Sequence, residues 1–245
     1  MKQTSSKLAI KLLFALTFTG FAASSQIHLN AHDQSIRYDL IKPEHSFRKV
    51  TWFDSAGNLT RESVIEHSTT IDTPRNEIDF VNSFQFAPGK TFVDSSIDNY
   101  SGSARYILAT MPSTKYELIK YLPTSVEAHN IVKGVSTDKT TEMPEGYFDD
   151  NSLWDILGVI PFKKGIKYEL DCYGTDIHTQ VLIPFEIEYA FDENYTGSGG
   201  VVVNSMVLKV SNPSTTTYVW LNKKTHLLIK DVGQGKDFSY SRVVL

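Results

Sequence analysis

The chain has 245 residues, 24 of them basic and 28 acidic, with a net charge of −4 and a single cysteine. The absence of a basic stripe argues against nucleic acid and anionic lipid surfaces as partners. One thiol excludes an internal disulfide framework.

At the start, Lys2, Lys7 and Lys11 precede the apolar run Leu12 to Ala23, and the small residues Ala22, Ala23, Ser24 and Ser25 close the segment. A positive stretch, a short greasy core and a small-residue cleavage site read as a secretory signal peptide over residues 1–25. The core falls short of the roughly 20 apolar residues of a membrane-spanning helix, so no transmembrane helix is expected in the mature chain. Loss of the three lysines leaves 21 basic against 28 acidic residues, a mature net charge of −7. Cys172 lies far from the leader, which rules out lipid attachment on an N-terminal cysteine. The expected destination is a bacterial periplasm. The alternative is secretion from a eukaryotic cell, where Asn58-Leu-Thr60, Asn99-Tyr-Ser101 and Asn194-Tyr-Thr196 would be glycan acceptors.

His28 and His32 follow directly. Their spacing is ligand-like, but no third ligand accompanies them and chains fray behind a cleavage site. A solvated leader segment is expected, and no metal or other cofactor.

Two alternating runs, Phe47 to Phe53 and Leu59 to His67, flank Asp54-Ser-Ala-Gly57-Asn58. Gly and Asn supply the positive φ of a tight reversal, so a hairpin is predicted. Ile78, Phe80, Phe84 and Phe86 hold a period of two before the Pro88-Gly89 turn. Val135 to Gly146, rich in Ser, Thr, Asp and Glu, is predicted as a loop. Asp149-Asp-Asn-Ser152 leads into Leu153-Trp-Asp-Ile-Leu157, then Gly158. This predicts one short helix, with Ser152 capping, Asp155 answering from the third position and Gly158 as a left-handed stop. A surface turn with one aromatic anchor is the alternative.

Beyond it, Ile166, Tyr168, Leu170 and Cys172 alternate with polar residues, as do Phe185, Ile187, Tyr189 and Phe191. Each run offers one apolar and one wet face, the pattern of an antiparallel sheet with one side on a core. Val201 to Val210, Thr216 to Leu221, His226 to Val232 and Lys236 to Leu245 read as further strands. Gly197-Ser-Gly-Gly200, Asn222-Lys-Lys-Thr225 and Gly233-Gln-Gly235 are the predicted turns. The fold class is therefore all-β: a strongly curved antiparallel sheet or incomplete β-barrel with one short helix in or near its concave face. Residues 26–245 form one domain in this reading, with a subdivision near 99–103 as the alternative.

Chemistry-bearing constellations are absent. Cys172 continues an apolar face, so its pairing with His178 is not that of an activated thiol. Glu186 with Glu188, and Glu169 with Asp171, are same-face acids on solvated strands. Gly197-Ser198-Gly199 lacks the strand–turn–helix context of a nucleophile elbow, and Gly233-x-Gly235 precedes a strand, not a phosphate-binding helix. No enzyme is expected. The 14 Phe, 12 Tyr and 3 Trp must mostly be core, especially Phe80, Phe84, Phe86, Phe185, Tyr189 and Phe191; a wide curved sheet leaves others for a cavity.

Leu153-Trp-Asp-Ile-Leu-Gly158, then Pro161-Phe-Lys-Lys-Gly-Ile-Lys-Tyr168, and the strand–turn–strand Val219-Trp-Leu-Asn-Lys-Lys-Thr-His-Leu-Leu-Ile-Lys230 resemble uncharacterised exported bacterial proteins related to outer-membrane lipoprotein-carrier folds. The resemblance runs from about Thr91 to Leu245 and brings no catalytic residue. It implies an open barrel around a short helix, whose concave face shelters an acyl chain or a partner's hydrophobic segment. Trp154, Leu157, Phe162, Tyr168, Phe185, Tyr189 and Trp220 are then the expected concave lining. The expected function is an exported, non-catalytic binding or carrier protein for an apolar or lipid-like ligand. The alternative is an envelope structural or assembly factor that binds another protein through a sheet edge.

Overall fold

Alternation along the chain becomes strand almost throughout. The computed structural model describes residues 25–87, 90–99, 104–111, 115–174, 182–197 and 200–245. Residues 1–24 of the expected leader, the Pro88-Gly89 turn, His178, Ser198-Gly199 and most of the 99–103 boundary lie outside the described residues, as does the Phe86 side chain.

The first half of the chain supplies β1 (Ser25–His28), β2 (Glu44–Asp54), β3 (Leu59–Asp72), β4 (Glu77–Ala87), β5 (Lys90–Asn99), β6 (Ala104–Met111), β7 (Lys115–Leu122), β8 (Ser125–Val132) and β9 (Val135–Glu142). A short β10 (Phe148–Asp149) runs into helix α1 (Asp150–Ile156). Then follow β11 (Ile166–Tyr173), β12 (Leu182–Thr196), β13 (Val202–Ser211), β14 (Thr215–Asn222), β15 (Leu228–Gly235) and β16 (Phe238–Val244). Short 3₁₀ turns sit at Tyr38–Leu40 and Leu157–Val159.

All the strands join one large curved sheet that does not close into a barrel. Its order is β1-β11-β12-β13-β14-β15-β16-β2-β3 and on to β9. After β1 at one edge, the chain passes to β2 near the middle of the sheet and meanders out to β9. It then crosses back through β10 and α1 to β11, and meanders inward until β16 pairs with β2. Every neighbouring pair is antiparallel except at β11, whose outer edge takes β1 and β10 in parallel. That crossover places α1 against the inner face, where Leu153, Ile156 and Leu157 join a core with Ile78, Phe80, Leu170, Phe185, Leu208 and Val219.

Local sequence explains the turns. In the β2–β3 hairpin Gly57 has φ +82°, and the Asp54 carboxylate accepts from the Ala56 and Asn58 amides at 2.9 and 2.8 Å.

Five expectations are corrected. Val135–Glu142 is the strand β9, not a loop; its polar side chains are nearly all exposed because it lies at the sheet margin. Gly233-Gln-Gly235 belongs to β15, not a turn. Glycine is required there because a Cβ at Gly233 would enter the Tyr240 ring, and one at Gly235 the Phe238 ring. The helix is capped by Asp149, whose carboxylate accepts from the Asn151 amide at 3.0 Å, and not by Ser152. Gly158 is no left-handed stop: the chain passes through it into the 3₁₀ turn, and glycine is needed because a Cβ would overlap the His226 carbonyl. The segment behind β1 does not fray. Leu29, Ala31, Ile36 and Tyr38 are buried in the main core, and the Tyr38 hydroxyl donates to the Ala31 carbonyl at 3.0 Å.

A β-bulge between Tyr189 and Phe191 breaks the run in β12. It inserts one residue and so reverses which face later residues take. Phe185 and Ile187 are buried, Tyr189 packs on the core from its rim, and Phe191 is 43% exposed. Phe185→Ala is expected to lower unfolding free energy by about 3–5 kcal/mol, and Phe191→Ala by less than about 1 kcal/mol, in urea denaturation. Equal losses at the two positions would contradict the bulge.

Candidate functional site: the covered inner face

Following the inner face across the sheet, apolar residues dominate from β11 to β14, where Leu170, Ile187, Leu208, Val219 and Leu221 share the core. The middle strands β15, β16, β2 and β3 bring polar groups, Asp231, Arg242, Arg48 and His67. Apolar residues return with Ile78 and Phe80 on β4, followed by Ser96 and Asp98 on β5. The far wing curls over so that Tyr121 on β7 meets Tyr147 and Tyr173 at ring distances of 5.8 Å each. A second core gathers there around Ile119, Val126 and Ala128.

The helix that covers this face has seven residues, far below the length at which an isolated helix is stable in water. Tertiary contacts must hold it, and at both ends these are polar. Near its C-terminus, Asp155 accepts from Arg48 Nη2 at 2.9 Å and lies 3.5 Å from His67 Nε2. Arg48 is 1% exposed. Burial alone would raise the Asp155 pKa, but the charges of Arg48, His67 and Arg242 overcome it and hold the carboxyl below the ordinary carboxylate value. Arg242 also lies over the Trp154 ring at 5.8 Å and donates to Asp231 at 2.6 Å.

The N-terminal end is different. Asp149 and Asp98 are both fully buried, and the Ser96 hydroxyl contacts both, Asp98 at 3.3 Å and Asp149 more closely. Burial raises the Asp149 pKa to about 6, against the pull of Ser96 and the Asn151 and Ser152 amides. Burial, then the Asp149 charge, pushes Asp98 well above the ordinary value. Asn151 Nδ2 adds a bond to Asp94 on β5 at 3.0 Å.

The expected lining residues are partly brought together. Leu157, Phe162, Tyr168 and Phe185 are all buried in the main core, with the Phe162 and Tyr168 rings edge-to-face at 5.0 Å. Trp154 packs against that core from α1. Tyr189 sits at the rim, where Lys164 lies 5.2 Å from its ring and its hydroxyl bonds Asp192. Trp220 is a correction. Its strand neighbours Val219 and Leu221 face the core, so alternation turns Trp220 outward, onto Val207, Glu193 and Lys230.

These side chains fill the hollow they were expected to line. The space between α1, the 3₁₀ turn at Tyr38–Leu40 and the sheet is a cavity of about 20 Å³ bordered by Thr69, Phe80, Asp155 and His226, room for about one water. A larger groove of about 380 Å³ lies at the outer end of β11–β13, with His28, Glu169, Asp171, Pro184, Glu186 and Pro213 around it. His28 faces Asp171 at 3.7 Å and His32 faces Glu145 at 3.9 Å, so the two histidines are drawn to different partners. Cys172 is fully buried, and burial raises its thiol pKa well above the ordinary value. Glu186 pairs with Lys167 at 2.7 Å.

Sequence reasoning missed Arg48, His67, Asp98, Asp231 and Arg242. The one available signal was a charged residue standing at an inward parity within an otherwise apolar face.

No family model matches the sequence, and no curated protein matches it. A β-barrel-like protein from Brucella abortus, a domain of unknown function termed DUF1849, superposes with a TM-score of 0.55, covering 83% of this chain and 95% of its own at 8% identity. The likeness is one of fold: a β-barrel-like architecture. A DUF1329-family protein from Desulfovibrio piger aligns over 88% of this chain and 90% of its own, at 8% identity and a TM-score of 0.29.

Arg48→Met leaves the Asp155 carboxylate buried without its main partner, at a cost of about 3–5 kcal/mol. Adding Asp155→Asn is expected to restore much of that loss in a double-mutant cycle. Because the folded-state pKa of Asp155 is depressed, its contribution holds above the ordinary carboxylate pKa of about 4 and is lost as pH falls below it. Additive losses in the cycle would show that the two residues act independently.

Proposed function

We propose that this protein is an exported, non-catalytic binding or carrier protein for a long-chain acyl group, with the inner face of the sheet as its site and α1 as a displaceable cover. The bacterial periplasm is the compartment this reading takes, on the strength of the leader-like first 25 residues. One observation carries the proposal: a broad apolar face is closed by a seven-residue helix and short turns, fastened through a few polar side chains. The carrier-like resemblance of the sequence points the same way.

Magnitudes select the ligand class. Lifting α1 exposes Leu153, Ile156 and Leu157, at about 1.5–3 kcal/mol each, or roughly 5–9 kcal/mol together. An entering chain regains about 0.8 kcal/mol per buried CH₂. A chain of about ten methylenes offsets the loss, whereas a small apolar molecule does not.

The alternative partner, an envelope protein added at the sheet edge, would use β9, which has a paired strand on one side only among the described residues. Asp138, Lys139 and Glu142 sit on that strand, and charges at a margin oppose edge-to-edge pairing.

Native mass spectrometry of protein purified from envelope extract, and again after incubation with hexadecanoic acid, tests the reading. The expected result is a one-to-one adduct with a single acyl chain. A bare protein mass in both preparations would overturn it.

A further inference from the structure

We propose that the cover is proton-controlled: a shared proton on the Asp98–Ser96–Asp149 bridge holds the N-terminal end of α1 against β5, and its loss releases that end. The inference deepens the reading of α1 as a displaceable cover and supplies the regulation of that same site.

The geometry demands a proton. A serine hydroxyl has one hydrogen, and an ionised carboxylate only accepts. Ser96 Oγ contacts carboxyl oxygens of both Asp98 and Asp149. If it donates to Asp149, the contact with Asp98 is a hydrogen bond only when Asp98 carries a proton to give. With both acids ionised, one contact becomes lone pair against lone pair, and two negative charges share a site that excludes water.

Neutral donors give partial relief, Ser152 to Asp98 and the Asn151 and Ser152 amides with Tyr121 to Asp149, but burial outweighs them and, among the described residues, no cation acts on either acid. Asp94 stands on the same strand β5 and is bonded by Asn151 of α1. Asp155 of α1, Tyr121 of β7, Tyr147 before β10, Cys172 of β11 and Tyr38 of the first 3₁₀ turn feel the charge of this pair or act on it, and Asp150 of α1 and Tyr173 of β11 stand around them. Glu117 of β7 lies beyond, beside Tyr173. All are acids, phenols or a thiol. The basic side chains of the inner face gather at the opposite end of the helix, where Arg48 bonds Asp155, His67 lies 3.5 Å from it and Arg242 bonds Asp231. The two fastenings thus differ in kind: one is a charge pair that needs ionisation, the other an acid pair that needs a proton.

The sign follows from which state binds the proton. Held closed, Asp149 titrates at about 6 and burial with the Asp149 charge holds Asp98 well above its ordinary value; released into water, each returns towards the ordinary value of about 4. The closed state therefore binds more protons, and its advantage is full below about pH 4 and is lost as pH rises through about 6. The cover is tight in acid and loosens towards neutrality. The opposite dependence of Asp155 acts only below about pH 4 and lies outside this window.

Amide hydrogen exchange of the unliganded full chain, followed by mass spectrometry on peptides spanning Asp149 to Ile156 and corrected for intrinsic exchange, reads the equilibrium directly. Protection is expected to fall roughly tenfold or more between pH 4.5 and 7, while the β12–β13 peptides stay constant. Asp98→Asn, whose amide donates to Ser96 at every pH, is expected to flatten the slope; Asp149→Asn, which keeps a capping oxygen, is the second variant should the first fail to fold. A wild-type profile independent of pH, or an unchanged slope in a folded variant, would overturn the proposal. Hexadecanoic acid uptake measured alongside separates the two readings: a pH slope without uptake removes the acyl-binding function and leaves the switch, and uptake without a slope does the reverse.

Discussion

A sheet that bends without closing has an inner face that its own strands cannot cover, and the rest of the structure answers that constraint. Among the described residues, sixteen strands leave little chain for the task. What remains is the segment from Leu29 to Ile41 and the crossover from β9 to β11, both of which send apolar side chains into the main core. Topology dictates the second: a meander that runs from β2 in mid-sheet to the β9 margin must cross to β11 before it can return and pair β16 with β2. The helix lies where it does because the path home runs there.

Polar groups on the inner face follow from the shortness of that cover. Seven helical residues bury only a few aliphatic side chains, so fixing their position falls to directional contacts. Asp155 supplies one by meeting Arg48, His67 and Arg242 from three different strands. Asp149 supplies the other, serving both as helix cap and as one half of an acid pair. A buried ion pair is a poor source of net stability yet penalises misplacement heavily. That combination suits a part meant to sit in one place while remaining detachable.

Much of the architecture was legible in the sequence because a two-residue period is a local signal. Phe185 and Ile187, or Leu170 and Cys172, declare their face without reference to any distant residue. Errors arose where one residue altered the count or where a distant ring set the local choice. Ala190 at the β12 bulge sends Phe191 outward, and nothing in its own neighbourhood marks the change. Gly233 and Gly235 looked like turn residues, but they are small because Tyr240 and Phe238 lie across them in the next strand. The polar β9 read as a loop because a marginal strand with both faces wet has no apolar period to display. The site was less legible still. Arg48 stands 107 positions from Asp155, Asp94 57 from Asn151 and Ser96 53 from Asp149, and only the curvature of the sheet brings them to one helix.

The central claim is that α1 leaves the inner face when an acyl chain enters, and tryptophan reports on it. The chain has three, Trp52, Trp154 and Trp220; Trp154 rides on α1, whereas Trp220 lies on the outer face and serves as an internal control. With 5-fluorotryptophan incorporated, fluorine NMR in the presence of saturating hexadecanoic acid should move the Trp154 resonance to a solvent-exposed position and leave Trp220 in place. Binding with Trp154 unmoved, or with the shift confined to Trp220, would contradict the account.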